Sequence, residues 1–204
     1  MSFEPEHGHG ARALFVNLAF VGKMCTGKSS LGDRVRERAP HGAYVKLSFA
    51  TRIKQLAVEL FDMSPATKDR DLLCYIGATM RKRDPNVWVR ALVRLVQSYN
   101  ARGIGVIVDD CRFRNELATL RRMGFAVVKC EAAATIQLYR LKQLYARNWS
   151  DHAAKMSSPS ECDLDDLERS TYDYIADESE TLETHADRVV EVMNARTIDE
   201  VKHV

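Results

Sequence analysis

Eighteen consecutive apolar residues occur nowhere in this 204-residue chain, which excludes a membrane-spanning helix. The longest apolar run, residues 13–22, is broken by Asn17 and is too short to span a bilayer. No Lys or Arg precedes Arg12, while Glu4 and Glu6 sit near the start, a poor beginning for a secretory leader. CxxC pairs are missing as well. The five cysteines (Cys25, Cys74, Cys111, Cys130, Cys162) are odd in number and irregularly spaced, which argues against a disulfide framework or a cysteine–zinc site and for a reducing compartment. Bulk charge is also small: a net +2 gives no field that would gather nucleic acid. With 46% hydrophobic and 28% charged residues, the chain is expected to fold as one soluble cytoplasmic domain that binds neither membrane nor nucleic acid. His7 and His9 alone are too little for a metal site.

What is present is unevenly distributed. Residues 112–147 hold eight Arg or Lys against two acids, Glu116 and Glu131, whereas residues 161–191 hold twelve acids against two arginines. Arginine outnumbers lysine twenty to ten, and its planar fork suits phosphate oxygens, so a small polyanionic ligand is expected mid-chain.

Strand-like and helix-like patterns alternate along the chain. Strands are expected at residues 13–21, 44–49, 106–108, 125–130 and 172–176. Helices are expected at residues 28–38, around Ile53 to Phe61, at 69–99 with a break at Asp84-Pro85, and at 115–123, 135–148 and 181–194. Residues 150–166 read as a polar loop or lid. Residues 1–11 and those after Arg196 read as frayed ends. This order predicts an α/β three-layer sandwich: a parallel five-stranded sheet with right-handed crossovers, helices on both faces, and ligand at the carboxyl ends of the strands.

The sharpest signal is Gly22-Lys23-Met24-Cys25-Thr26-Gly27-Lys28-Ser29, which fits GxxxxGK[ST] between an apolar strand and a helix. Glycines let successive amides turn inward around phosphate oxygens, and the helix start adds partial positive charge. Gly22, Lys23, Cys25, Thr26, Gly27, Lys28, Ser29 and Ser30 are therefore expected to cradle a nucleotide's phosphates. Lys28 would contact the β- and γ-phosphates and Ser29 would place its hydroxyl on Mg2+. Cys25 reads as a small loop residue. Asp109 and Asp110 end the third strand, where an acid can serve the metal; adjacent strand residues face opposite ways, so only one can. Arg70, Arg81, Arg83, Arg112, Arg114, Arg140 and Arg147 lie between elements that reach the same strand ends, and cations there would neutralise a transferring phosphoryl group.

Residues 110–116, Asp-Cys-Arg-Phe-Arg-Asn-Glu, resemble the D-V-R-F-P-N-E signature of phage- and viral-type deoxynucleoside monophosphate kinases. Phe49-Ala50 with Lys54 resembles that family's F-A-x-x-x-K segment. Arg70 to Arg81 with Asp84 and Trp88 resembles its R-x-L-L-Q-x-x-G-T…R…D-P-x-x-W stretch. His152, Ser160-Glu161 and Tyr174-Ile175 loosely resemble its ending. The resemblance implies a P-loop kinase that transfers the γ-phosphate of ATP to a (deoxy)nucleoside monophosphate, in cytoplasm or in a host's cytoplasm, as a monomer or homodimer. It implies Asp110 rather than Asp109 at the metal, with Ser29. It places Lys28, Asp110, Arg112, Arg140 and Arg147 in catalysis, and Phe49, Lys54, Arg70, Arg81, Trp88, Arg112, Asn115 and Glu116 at the acceptor. It also implies a substrate-binding helical region at about 50–100 and a lid at about 140–161. The departures are Cys74 for the family glutamine, Ala78 for threonine and Arg114 for proline, so base preference does not carry over. Residues 160–165, Ser-Glu-Cys-Asp-Leu-Asp, also resemble a segment of animal-type phosphomevalonate kinase, which gives a second small-molecule kinase reading.

Overall fold

Asn17 interrupts the first apolar run for a structural reason. It is buried; its Oδ1 accepts from the Val106 amide at 2.7 Å and its carbonyl accepts from the Ala126 amide at 2.9 Å. One residue thus fastens the first strand to a neighbour on each side before the sheet proper begins. The structure, a computed structural model, describes residues 15–39, 44–67 and 69–202. The readings of residues 1–11, including His7 and His9, lie outside these.

Five strands, β1 (Leu18–Val21), β2 (Tyr44–Leu47), β3 (Gly105–Cys111), β4 (Ala126–Cys130) and β5 (Tyr174–Ala176), form one parallel sheet in the order β2-β3-β1-β4-β5. The central position of β1 explains why all four of its side chains are buried. Alternation sorts the strands' side chains into two cores. Ala19, Val21, Val106, Val108 and Val127 pack with α2 (Ala50–Phe61), α3 (Arg70–Arg83), α4 (Val87–Asn100) and α5 (Arg114–Arg122). Leu18, Phe20, Ile107, Ala126 and Val128 pack with α1 (Lys28–Arg38) and α9 (Leu182–Lys202). The result is the expected sandwich of helices on both faces of a parallel sheet.

The expected break at Asp84-Pro85 lies between α3 and α4, with Asp84 capping α3 in extended conformation. Differences from the expected elements are informative. The helix predicted over 135–148 is α6 (Ala134–Leu144), and the stretch read as a loop folds into α7 (Trp149–Ala154), a 3-10 turn (Lys155–Ser157) and α8 (Pro159–Cys162). Its sequence is polar because its few inward side chains are themselves polar: His152 and Glu161 are both buried. Helix α9 runs to Lys202, past the expected fraying point at Arg196.

Trp88 was expected at the acceptor, but only 2% of it is exposed, and its Nε1 donates to the Gly77 carbonyl at 3.1 Å. It is a core residue that joins α4 to α3, its one donor already used. The Phe49 ring is likewise buried in the same core. Replacing Trp88 by Ala is expected to lower stability by about 3–5 kcal/mol in chemical denaturation, the usual cost of deleting a large buried aromatic. A cost below about 1 kcal/mol would contradict the core placement.

Candidate active site

The turn after β1 is built from backbone geometry that few residues accept. Gly22 has φ 143°, and a Cβ there would stand 2.3 Å from the Cys130 carbonyl oxygen. Gly27 has φ 98° and its carbonyl accepts the Leu31 amide at 2.9 Å, opening α1. Cys25 sits at φ 63°, an uncommon conformation for a residue with a side chain. Within the turn, Thr26 Oγ1 donates to the Lys23 carbonyl at 2.9 Å, and the Lys28 ammonium donates to that same carbonyl. Burial lowers the Lys28 pKa to about 8, helped by the nearby Arg112 cation. Ser30 is exposed on the first turn of α1.

Ser29 Oγ donates to Asp109 Oδ2 at 2.7 Å, and Lys46 of β2 reaches the same oxygen at 3.2 Å. Asp110 points the other way. Its carboxylate accepts from the Ser48 hydroxyl and from the amides of Phe49 and Ala50, at 2.8 and 3.1 Å, at the start of α2. The expected assignment of Asp110 beside Ser29 is therefore corrected to Asp109. The physical reason is alternation: Asp109 follows Ile107 onto the face covered by α1, and Asp110 follows Val108 onto the face covered by α2. The β1–β3 register then slips by one, from Ala19↔Val108 to Val21↔Cys111, which returns Cys111 to the Val108 side. Counting from the motif alone hides this. Ser29 and Asp109 offer hard oxygen donors, and no cluster of three or more His, Cys, Asp or Glu exists among the described residues. Such a sparse set fits Mg2+, which keeps waters and shares its shell with phosphates.

Past the strand end, Arg112 pairs with Glu161, while its amide donates to Glu116 Oε2 at 2.9 Å. Glu116 is nearly sealed from solvent; it also accepts from the Phe113 amide at 3.1 Å and from Arg81 Nη2 at 3.3 Å. Burial raises its pKa to about 7 against those donors, with Asp110 adding to the rise. Arg81 lies over the Phe113 ring, 4.3 Å from its centroid. Asn115 Nδ2 bonds the Pro85 carbonyl at 2.9 Å and Asn86 Oδ1 at 3.0 Å, tying α5 to the α3–α4 turn. Arg114 turns away to Asp166.

Three further arginines have mixed placements. Arg140 of α6 donates to the Cys25 carbonyl at 3.0 Å, and Arg70 bonds the Tyr145 hydroxyl with its guanidinium 4.6 Å from that ring's centroid. Both cations act on the Cys25 thiol, whose pKa burial raises, so both stand near the mouth of the turn. Arg147 is exposed in the turn after α6, and Lys54 is half-buried on α2. Residues not anticipated from sequence are Lys46, Tyr145 and Gln137. Beside the turn lies a cavity of about 630 Å3, lined among others by Gly22, Lys23, Arg112, Gln137, Glu161 and Asp177. That volume lies within the range of small-ligand sites. Gln137 Nε2 donates to the Ala132 carbonyl at 2.7 Å, which leaves its buried Oε1 without a partner among the described residues. His152, stacked on Tyr145 with centroids 4.1 Å apart, has a buried Nδ1 in the same condition.

Known structures that resemble this one include several kinases. The Mycobacterium tuberculosis APS kinase CysC, solved in complex with AMPPNP and APS, superposes with a TM-score of 0.57 at 18% identity over 87% of this chain and 97% of that one. A gluconokinase from Sinorhizobium meliloti 1021 gives 0.54 at 15% identity over 93% and 98%. Shikimate kinase from Acinetobacter baumannii, in complex with shikimate, gives 0.52 at 15% identity over 87% and 92%. The chain has the fold of the P-loop kinases. No family model matches it. Among curated proteins, the uncharacterized protein ORF77 of Ictalurid herpesvirus 1 (strain Auburn) is 30% identical over 116 residues, 54% of this chain and 48% of that protein. The chain thus spans about half the length of the curated relative it matches.

The two aspartates separate experimentally. Asp109→Asn is expected to remove the Mg2+ dependence of nucleotide binding with little change in melting temperature. Asp110→Ala should cost about 1–3 kcal/mol of stability, because it strips the acceptor from two amides at the α2 start. The reverse pattern would put Asp110 back at the metal.

Proposed function

We propose that this protein is an ATP-dependent kinase that phosphorylates a nucleoside monophosphate. The observation that carries the reading is the pairing of the glycine turn and buried Lys28 with the Ser29–Asp109 oxygens at the carboxyl ends of a parallel sheet. The inward amides of residues 24–29 bind the donor's phosphate oxygens, and Lys28 exchanges the Lys23 carbonyl for the β- and γ-phosphates. Ser29 and Asp109 hold Mg2+, which when bound supplies neutralising charge between those phosphates. The base and ribose of the donor occupy the cavity beside the turn.

The acceptor enters on the α2–α3 side. Its phosphate is received by arginines, with Arg70, Arg81 and Arg112 nearest the strand ends and Asn115 and Glu116 fixing the α5 start that presents Arg112. An acceptor that is already a phosphate needs no strong general base, so positioning and charge neutralisation carry the rate. Arg140, already on the Cys25 carbonyl, and Arg147, in the turn that follows α6, serve the transferring group when residues 140–161 close as a lid over it. The resemblance of residues 110–116 to the viral-type signature favours a nucleoside monophosphate as acceptor. A second reading, a kinase for another small phosphorylated acceptor, is favoured by Glu161 of the 160–165 segment lying against the turn. The relatives in the fold include an APS kinase and a shikimate kinase, so the scaffold admits varied acceptors.

A coupled ADP-release assay with ATP against the eight common ribo- and deoxyribonucleoside monophosphates and phosphomevalonate tests this. The best substrate is expected to be one of the nucleotides. Turnover with phosphomevalonate alone would select the second reading, and turnover with none would remove the kinase assignment. Lys28→Ala should lower kcat at least about a hundredfold with the fold intact. In the parent, ATP affinity should hold below pH 8 and fall above it. The reason is the sign of the shift: Lys28 is cationic below its lowered pKa of about 8, and the neutral amine above it no longer attracts phosphate.

A further inference from the structure

Glu161 ends its reach inside the phosphate turn. Only 4% of its side chain is exposed; Oε2 accepts from the Met24 amide at 2.6 Å, and Oε1 pairs with the Arg112 guanidinium. The segment that carries it is tied to the same ground at three more points. Lys23 pairs with Asp165 at 2.7 Å, the Arg114 amide donates to Asp163 at 2.8 Å, and the Arg114 guanidinium pairs with Asp166. The Met24 amide belongs to the run that the glycines direct inward for anions, and a carboxylate oxygen offers it the same charge and acceptor geometry as a phosphate oxygen. Arg112 stands close enough to disfavour the charge on Lys28, and Glu161 partly offsets this.

We propose that Glu161 is an internal anion that occupies a phosphate subsite of the turn, so that nucleotide phosphates bind in competition with it. The inference rests on the phosphate-turn reading above and adds its regulation. Binding then proceeds by exchange. The carboxylate leaves the Met24 amide, a phosphate oxygen takes its place, and Arg112 passes from Glu161 to the phosphate. Displacement of Glu161 moves α8, which couples occupancy of the turn to the position of the segment over it. A purely structural latch would instead keep Glu161 in place while phosphate binds elsewhere.

Titration calorimetry of the full chain with ATP·Mg and, separately, with inorganic pyrophosphate decides between these. It is done for the parent, Glu161→Gln, Glu161→Asp and Lys28→Ala, each with its melting temperature. Competition predicts that Glu161→Gln lowers Kd about tenfold for both ligands, the scale of one charge-assisted contact. Glu161→Asp keeps the charge but is one methylene too short to reach Met24 from α8, and should lower Kd at least about threefold. Unchanged or weaker binding in both variants establishes the latch and overturns the proposal. Tightening in Glu161→Gln with parent affinity in Glu161→Asp also overturns it, because that is the pattern of distant charge without occupancy. Should Glu161→Gln show no melting transition, Glu161→Asp alone carries the decision. Failure of the underlying reading looks different: the parent then binds neither ligand, or Lys28→Ala binds both as well as the parent does.

Discussion

The close approach of Gly22 to the Cys130 carbonyl is the constraint on which the rest of the site depends. With no room for a Cβ at that point, the chain can leave the central strand, pass beside the end of β4 and turn back into α1 within a few residues. That path brings the Met24 amide onto Glu161 and buries Lys28. Asn17 supplies the rigidity from below by bonding both neighbouring strands. Everything else that bears on an anion is placed relative to this turn: Asp109 by the face of β3 that α1 covers, Arg112 by the end of that strand, and Arg140 by its bond to the Cys25 carbonyl.

On the proposed reading, the site without phosphate has cations that repel and amides that lack acceptors. The acidic C-terminal third of the sequence answers much of this. The excess of basic residues over 112–147 and of acids over 161–191 meets in space where Arg112 pairs with Glu161 and Arg114 pairs with Asp166, its amide also donating to Asp163. Read along the sequence, the asymmetry suggests a polyanionic ligand. In the fold, part of it is satisfied internally. Exposed pairs such as Arg114–Asp166 add little stability each, so their chief effect is on where the segment carrying Glu161 rests.

The sheet, its parallel order and the phosphate turn were legible because each rests on a local signal: apolar runs, strand–helix alternation and the glycine spacing. The Asp84-Pro85 break followed from proline sterics. Which of Asp109 and Asp110 lies beside Ser29 was not legible from the motif, since it depends on which helix covers which face of β3. Trp88 and Phe49 were misplaced for a related reason. A motif fixes which residues occur together but not whether an aromatic faces a pocket or a core, and Trp88 faces Gly77. The helical character of residues 149–162 was hidden because its buried side chains, His152 and Glu161, are polar, and Glu161 is held by long-range bonds from Met24 and Arg112 that no periodicity reveals.

The central claim is that the turn at residues 22–29 is an anion site. Backbone 1H–15N resonances recorded while ATP·Mg is added test it most directly, because they report each amide separately. The account predicts that the largest shifts fall on the amides of residues 24–30 and on Arg112, while the outer groove between α4 and α5 around Val89, Arg94 and Arg122 stays unchanged. Shifts concentrated in that groove, with residues 24–30 unmoved, would contradict it.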